Sequence, residues 1–472
     1  MLFNSVEFLI FLPIVFAVYW LLNKNRRLQN LWVVTASYLF YGWWDYRFLA
    51  LIAFTSLLSW WTGVMMEREQ RRRLWLWLSV GINLGILGLF KYYDFFAQSF
   101  ANVFLGGHGD KLLLGLILPV GISFYTFQAL SYSIDVYKRK IKPTRDVVAY
   151  FAYVSFFPQL VAGPIERATN LLPQFLNRRR FDYDLAADGM RQMLWGFFMK
   201  MAVADRCGVY VDKVWSCYAE STGAQLVLAA MLFSVQIYGD FAGYSNIAIG
   251  CAKLFGIRLK PNFKTPYFSR DTGEFWRRWH VSLNRWFRDY LYIPLGGSRG
   301  SRLQTVRNTV IIFLVSGLWH GANWTFVAWG AFHAILFIPL MLSGRNRRHL
   351  DTVAQGRMLP TLGEVGMMLN TFMLCTIGRI FFRADTIHDS FGYFAQFFKG
   401  TWTLEGVDFP WLTVCFILVM FVTEWFNREQ EHGLVLISKV RPRWARAGIY
   451  YMLTAAILLF SSQSENFIYF QF

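Results

Sequence analysis

The chain has 472 residues, of which 55% are hydrophobic, 19% aromatic and only 16% charged, with 47 Lys and Arg against 29 Asp and Glu for a net charge of +18. Soluble domains carry about 25% charged residues, so this composition excludes an ordinary soluble protein and describes a polytopic membrane protein. The basic excess lies in short clusters between apolar runs, which fits the positive-inside rule and excludes nucleic acid as the partner. A remainder of that charge is available to a phosphate-bearing cytoplasmic ligand. The five cysteines, Cys207, Cys217, Cys251, Cys375 and Cys415, have no metal-ligand or disulfide-framework spacing, so no metal is expected.

In chain order, the opening MLFNSVEFLIFLPIVFAVYWLL has neither a basic n-region nor a small-residue cleavage site. It predicts a retained first helix. Spans of about 20 apolar residues are predicted near 8–23, 30–45, 48–65, 74–97, 112–136, 188–210, 223–252, 308–343, 363–382, 409–426 and 446–463. The expected fold is all-α: one membrane domain over 1–463 with roughly 11–12 transmembrane helices, plus re-entrant and interfacial ones. The stretch FAYVSFFPQLVAGPIER at 151–167 is broken by Pro158, Gly163 and Pro164 and reads as re-entrant. Segment 308–343 is too long for one upright span and reads as two broken helices meeting near His320. With that segment crossing twice, the basic loops lie inside and both termini outside.

The chemistry concentrates in 271–324, DTGEFWRRWHVSLNRWFRDYLYIPLGGSRGSRLQTVRNTVIIFLVSGLWHGANW. Asp271 and Glu274 have the spacing of a capping-box variant. Trp276, Trp279, Leu283, Trp286 and Tyr290 share one helical face, with Arg278, Arg285 and Arg288 on another. That arrangement suits a membrane–water interface. His320, between Gly317 and Gly321, is an ionisable group at membrane depth and a candidate general base. His280 is a candidate to orient substrate or assist, and His333 reads as a packed core histidine. Asp240, in QIYGDFAGYS, must be paired or protonated; a salt bridge to an arginine such as Arg277 or Arg285 and a functional role both remain open. The tail FIYFQF, 467–472 within an aromatic motif at 464–472, is either an interfacial anchor or a peptide that folds back to present the Tyr469 hydroxyl.

The stretches FWRRWHVSLNRWFRDYLYIPLGG and GLWHGANWTFVAWGAFH resemble the membrane-bound O-acyltransferase family. LPVGISFYTFQALSYSIDVY, FFPQLVAGPI, QIYGDFAGYSNIAIG and GRIFFRA support the likeness. It is nearest to the bacterial branch with the alginate O-acetyltransferase and teichoic-acid D-alanylation membrane subunits. The resemblance implies that His320 is catalytic, that His280 is the second site residue, and that Tyr469 matches a tyrosine proposed as an acyl relay. It implies acetyl-CoA or another acyl-CoA as donor, with no tightly bound cofactor. Arg277, Arg278, Arg285 and Arg288 would meet the donor's phosphates, and Asn284, Trp319 and Asn323 would complete its binding set. The expected acceptor is an extracytoplasmic envelope polysaccharide, reached through a separate SGNH-like acetyltransferase outside a bacterial cytoplasmic membrane. The rival expectation is a proton-coupled transporter or channel using buried His and Asp. It predicts internal repeats, and none is visible.

Overall fold

The computed structural model describes residues 1–68, 70–106, 110–160, 163–403 and 408–460. Every regular element among them is helical, which lets each segment satisfy its own backbone, as hydrocarbon demands. Among the described residues five helices are long and apolar enough to cross a bilayer: Tyr46–Met65, Arg72–Phe104, Gly223–Leu254, Trp324–Leu342 and Leu362–Arg383. Val6–Leu21 and Trp411–Phe426 are shorter apolar helices. The chain is an all-α polytopic membrane protein. Along Val6–Leu21 the side chains of Val6, Leu9, Ile10 and Ile14 are exposed, which costs nothing where lipid tails are the solvent. Gly223–Leu254 is the opposite case, with 83% of its apolar window buried in protein.

By internal contacts the chain divides into two compact units, Met1–Met190 with Ala248–Lys260, and Arg191–Ile247 with Pro261–Phe472. The first unit packs Arg26–Gly42, Leu49–Met65, Ile122–Tyr137 and Val147–Ser155 against one another. Small polar side chains join its helices: Ser79 and Ser133 hydroxyls lie 2.8 Å apart, and the Asn83 amide donates to the Ser59 hydroxyl at 3.1 Å. Such bonds are the glue between helices that lipid cannot press together.

Two predicted segments differ from simple spans. The one at 112–136 becomes α-helical only from Ile122. Gly115 and Gly121 take positive φ there, and the N–H groups of Leu114 and Gly115 donate to the Asp94 carboxylate at 2.8 and 3.0 Å. Hydropathy does not register this, because an extended and a helical apolar run have the same composition. The 151–167 stretch is short and interrupted as expected. Helix Val147–Ser155 stops at Phe156, and a single turn, Phe157–Leu160, follows.

Helix Tyr183–Phe197 widens into a π-turn, Phe198–Ala204, before Asp205–Ser216. The turn carries Lys200, whose Nζ lies 2.6 Å from an Asp205 oxygen and 2.6 Å from an Asp240 oxygen. Asp240 is therefore paired, with a lysine where the sequence suggested an arginine. All three side chains are at most 3% exposed.

Candidate active site

Asp271 caps helix Thr272–Arg278, its carboxylate accepting from the Glu274 N–H at 2.6 Å. Glu274 reaches back past the cap to the Arg270 N–H at 2.9 Å. The same carboxylate holds the Arg270 and Arg278 guanidiniums at 3.0 and 2.8 Å.

The single aromatic helix expected across 276–290 is broken in two, Thr272–Arg278 and Val281–Phe287. His280, at the break, has a left-handed backbone with φ +42°. The cause lies outside the stretch. The Asn262 carbonyl accepts from the Val281 N–H at 2.8 Å, and the Arg278 carbonyl accepts from the Lys264 N–H at 3.0 Å. The Asn284 amide then donates to the Trp276 and Trp279 carbonyls, each at 2.6 Å. A left-handed non-glycine costs about 1–2 kcal/mol and persists where its surroundings over-determine it. Here it carries the His280 ring to 1% exposure, edge-on to Phe241 at 4.7 Å. Burial pushes this imidazole down to about 3, so it is neutral at working pH. Neither of its nitrogens has a hydrogen-bond partner among the described residues. An orphaned buried polar group of this kind calls for a ligand or water.

The predicted pair of broken helices is present as Arg302–His320 and Trp324–Leu342. Asn323 caps the second, accepting from the Thr325 N–H at 3.1 Å and donating to the Asp385 carbonyl at 2.8 Å. The helices meet backbone to backbone: a Cβ on Gly317 would lie 2.2 Å from the Phe326 carbonyl oxygen, and one on Gly330 2.3 Å from that of Phe313. Gly317→Ala is therefore expected to destabilise the protein by about 1–3 kcal/mol through overpacking. A wild-type thermal midpoint for that variant in detergent would contradict the contact.

His320 ends the first helix of this hairpin and is 3% exposed. Its ring lies 5.0 Å from that of Trp329 and 5.5 Å from that of Phe382. The His280 ring is 6.2 Å away, tilted by 52°, so one small group beside them is within reach of both. The Trp319 ring lies 5.5 Å from that of His280. On a continuous helix His333 would face away from His320. The reversal at 321–323 instead brings it back, against Trp276 at 4.9 Å and Trp329 at 5.0 Å. A cavity of about 10 Å3, room for one water, is lined by His320, His333 and Arg379 among Trp276, Trp329 and Phe382.

The arginines assigned to phosphate have protein partners. Arg277 donates to the carbonyls of Asn346 and His349, and Arg278 to Glu274 and the Asp351 carbonyl. Arg288 is 2.6 Å from Asp289, and Arg285 is exposed. Arg277 and Arg278, with Arg270, thus staple the 345–351 segment onto Thr272–Arg278. Arg270 also holds the Asp351 carboxyl below the usual carboxylate range by hydrogen bonding. Tyr469 and the motif at 464–472 lie outside the described residues. Among the described residues no three His, Cys, Asp or Glu side chains converge as a metal site. Sequence reading missed Arg379 and Lys200; His333 is the packed core histidine expected, 2% exposed, and it also lines the cavity. The rule that singled out His320, an ionisable residue within an apolar run, applies to both cations and would have found them.

Two buried imidazoles, His320 and His333, thus line one cavity with a fixed cation inside a polytopic helical protein. A model of the MBOAT, membrane-bound O-acyltransferase family, matches residues 142–382, a range that holds both histidines and Arg379. The chain is 38% identical to the probable alginate O-acetylase AlgI of Pseudomonas putida over 501 aligned residues, covering all of both chains. It is 34% identical to the peptidoglycan O-acetyltransferase of Helicobacter pylori, over 86% of this chain and 81% of that one. With the teichoic acid D-alanyltransferase of Streptococcus thermophilus the identity is 28%, over 62% and 72%. The chain belongs to the membrane-bound O-acyltransferase family, and it is an O-acyltransferase.

Proposed function

We propose that this protein takes an acetyl group from cytoplasmic acetyl-CoA and passes it across the membrane for O-acetylation of an extracytoplasmic envelope polysaccharide. The carrying observation is His320, an imidazole lining a cavity with room for one water at a helix hairpin, its ring 6.2 Å from that of His280. A neutral imidazole offers a nitrogen lone pair and suits general-base work. His320 removes the proton of an acceptor hydroxyl as its oxygen bonds to the thioester carbon. The C–S bond then breaks, and the departing sulfur takes the proton back from the imidazolium. Neutral His280 orients the acyl group or the acceptor through its two open nitrogens.

Acetyl is favoured over D-alanyl because the relatives at 38% and 34% identity are named as O-acetylating proteins and cover more of this chain than the D-alanyltransferase does. Their names differ in polymer, alginate in one and peptidoglycan in the other, so the polymer class is assigned and its member is not. Positive-inside counting supports a bacterial cytoplasmic membrane setting with both termini outside. A separate SGNH-like acetyltransferase on that side completes the transfer. The test is protein reconstituted in vesicles with acetyl-CoA labelled in the acetyl group. The expected result is release of CoA together with label appearing on an added polysaccharide and its partner enzyme. Absence of any acetyl-CoA turnover, with intact protein and partner, would overturn the proposal.

A further inference from the structure

Three arginines are buried among the described residues: Arg179, Arg270 and Arg379. Burying a guanidinium is costly unless its charge and donors are satisfied. Arg179 gives its donors to neutral oxygens, Gln29 at 2.8 Å, Asn30 at 2.6 Å and the Gln174 carbonyl at 3.2 Å. Arg270 gives its own to Glu274 and Asp351. Arg379 shares a side-chain hydrogen bond with Tyr267 and leaves a donor over. It is 4% exposed, no carboxylate pairs with it among the described residues, and its Nη1 has no hydrogen-bond partner there.

What surrounds Arg379 is aromatic. Its guanidinium carbon lies 4.7 Å from the Trp279 ring centroid, 5.1 Å from that of Tyr267 and 5.7 Å from that of Phe275. Ring faces stabilise a desolvated cation, and they do so without neutralising it or occupying its N–H donors. The cage therefore holds a full positive charge in place and leaves a donor open. Arg379 also lines the same cavity as His320.

We propose that Arg379 is the oxyanion-stabilising residue of the acyl transfer, donating from Nη1 to the acyl carbonyl oxygen. The inference rests on the acyl-transfer reading above. When the acceptor oxygen bonds to the carbonyl carbon, the carbonyl π pair moves onto its oxygen. That oxygen becomes negative until the C–S bond breaks and the pair returns. A preorganised donor aimed at this charge in a water-poor site commonly carries the largest single share of such a barrier. Of the cavity-lining groups, Arg379 alone carries a permanent positive charge. No proton leaves it during the step; the proton shuttles through His320.

The test uses full-length protein in vesicles, with turnover expressed per folded enzyme and acetyl-CoA binding measured separately. Arg379→Gln is expected to lower kcat by about 10²–10³-fold while shifting the acetyl-CoA dissociation constant less than threefold. In Arg379→Ala, added guanidinium ion is expected to restore part of the rate by re-entering the vacated cage, and added sodium at equal ionic strength is not. Three outcomes overturn the inference. Acetyl-CoA binding falling in proportion to rate makes Arg379 a ground-state anchor for the donor. Less folded protein with wild-type turnover per molecule makes it only a strut. Wild-type turnover in Arg379→Gln at normal yield removes it from the chemistry. If the wild-type protein itself turns over no acetyl-CoA, it is the acyl-transfer reading that fails.

Discussion

His320→Ala is expected to lose acyl transfer by at least about 100-fold, because a positioned general base contributes about 10²–10⁴-fold. The folded protein should remain in the membrane at near wild-type level. The ring sits at the end of helix Arg302–His320, so truncation removes aromatic contacts but no helix-interior residue. It enlarges a cavity that already has room for a water. The measurement is initial rate at saturating acetyl-CoA, normalised to folded enzyme. A rate above about a tenth of wild type would be too high for a lost general base. His280→Gln probes the neighbour differently. It keeps a neutral side chain with both a donor and an acceptor, so it should retain more rate than His280→Ala if orientation is the role.

Lys200→Met is expected to have the largest effect on folding. It leaves the Asp205 and Asp240 carboxylates, each 2.6 Å from the lost ammonium, buried and facing one another. Breaking a buried ion pair costs about 3–5 kcal/mol, against a total stability of about 5–15 kcal/mol. The amount of folded protein in membranes should fall several-fold. The triple variant Lys200→Met, Asp205→Asn, Asp240→Asn replaces the charged cluster by neutral groups of similar shape and should recover much of the loss. If Lys200→Met alone accumulates and melts like wild type, the three charges do not hold the π-turn to helix Gly223–Leu254.

The hairpin at His320 was legible because its cause is local. A run too long for one span, with Gly317 and Gly321 at its middle, breaks where the sequence says. The break at His280 was not legible. The aromatic period continues through it, and the groups that force it are backbone atoms of 262 and 264, supplied by a different segment. The same limit hid the stapling role of Arg277 and Arg278, whose partners lie near 346–351. From the sequence they are surface cations available to phosphate; in the fold both bind main-chain carbonyls and Arg278 also pairs with Glu274. Asp240 announced that it needed a partner but not which one, since Lys200 reaches it only through a π-turn. Arg379 was visible as a charge in an apolar run, but its open donor depends on a cage drawn from 267, 275 and 279.

The central claim, O-acetylation of an envelope polysaccharide through His320, is tested most directly by the acetyl-ester content of purified envelope polymers. Esters are measured by proton NMR in cells lacking this gene, then in the same cells carrying the wild-type or His320→Ala chain at matched membrane levels. The expected result is loss of acetyl esters from one polymer in the deletion, restoration by wild type, and no restoration by His320→Ala. Undiminished esters on every polymer in the deletion, or full restoration by His320→Ala, would contradict it.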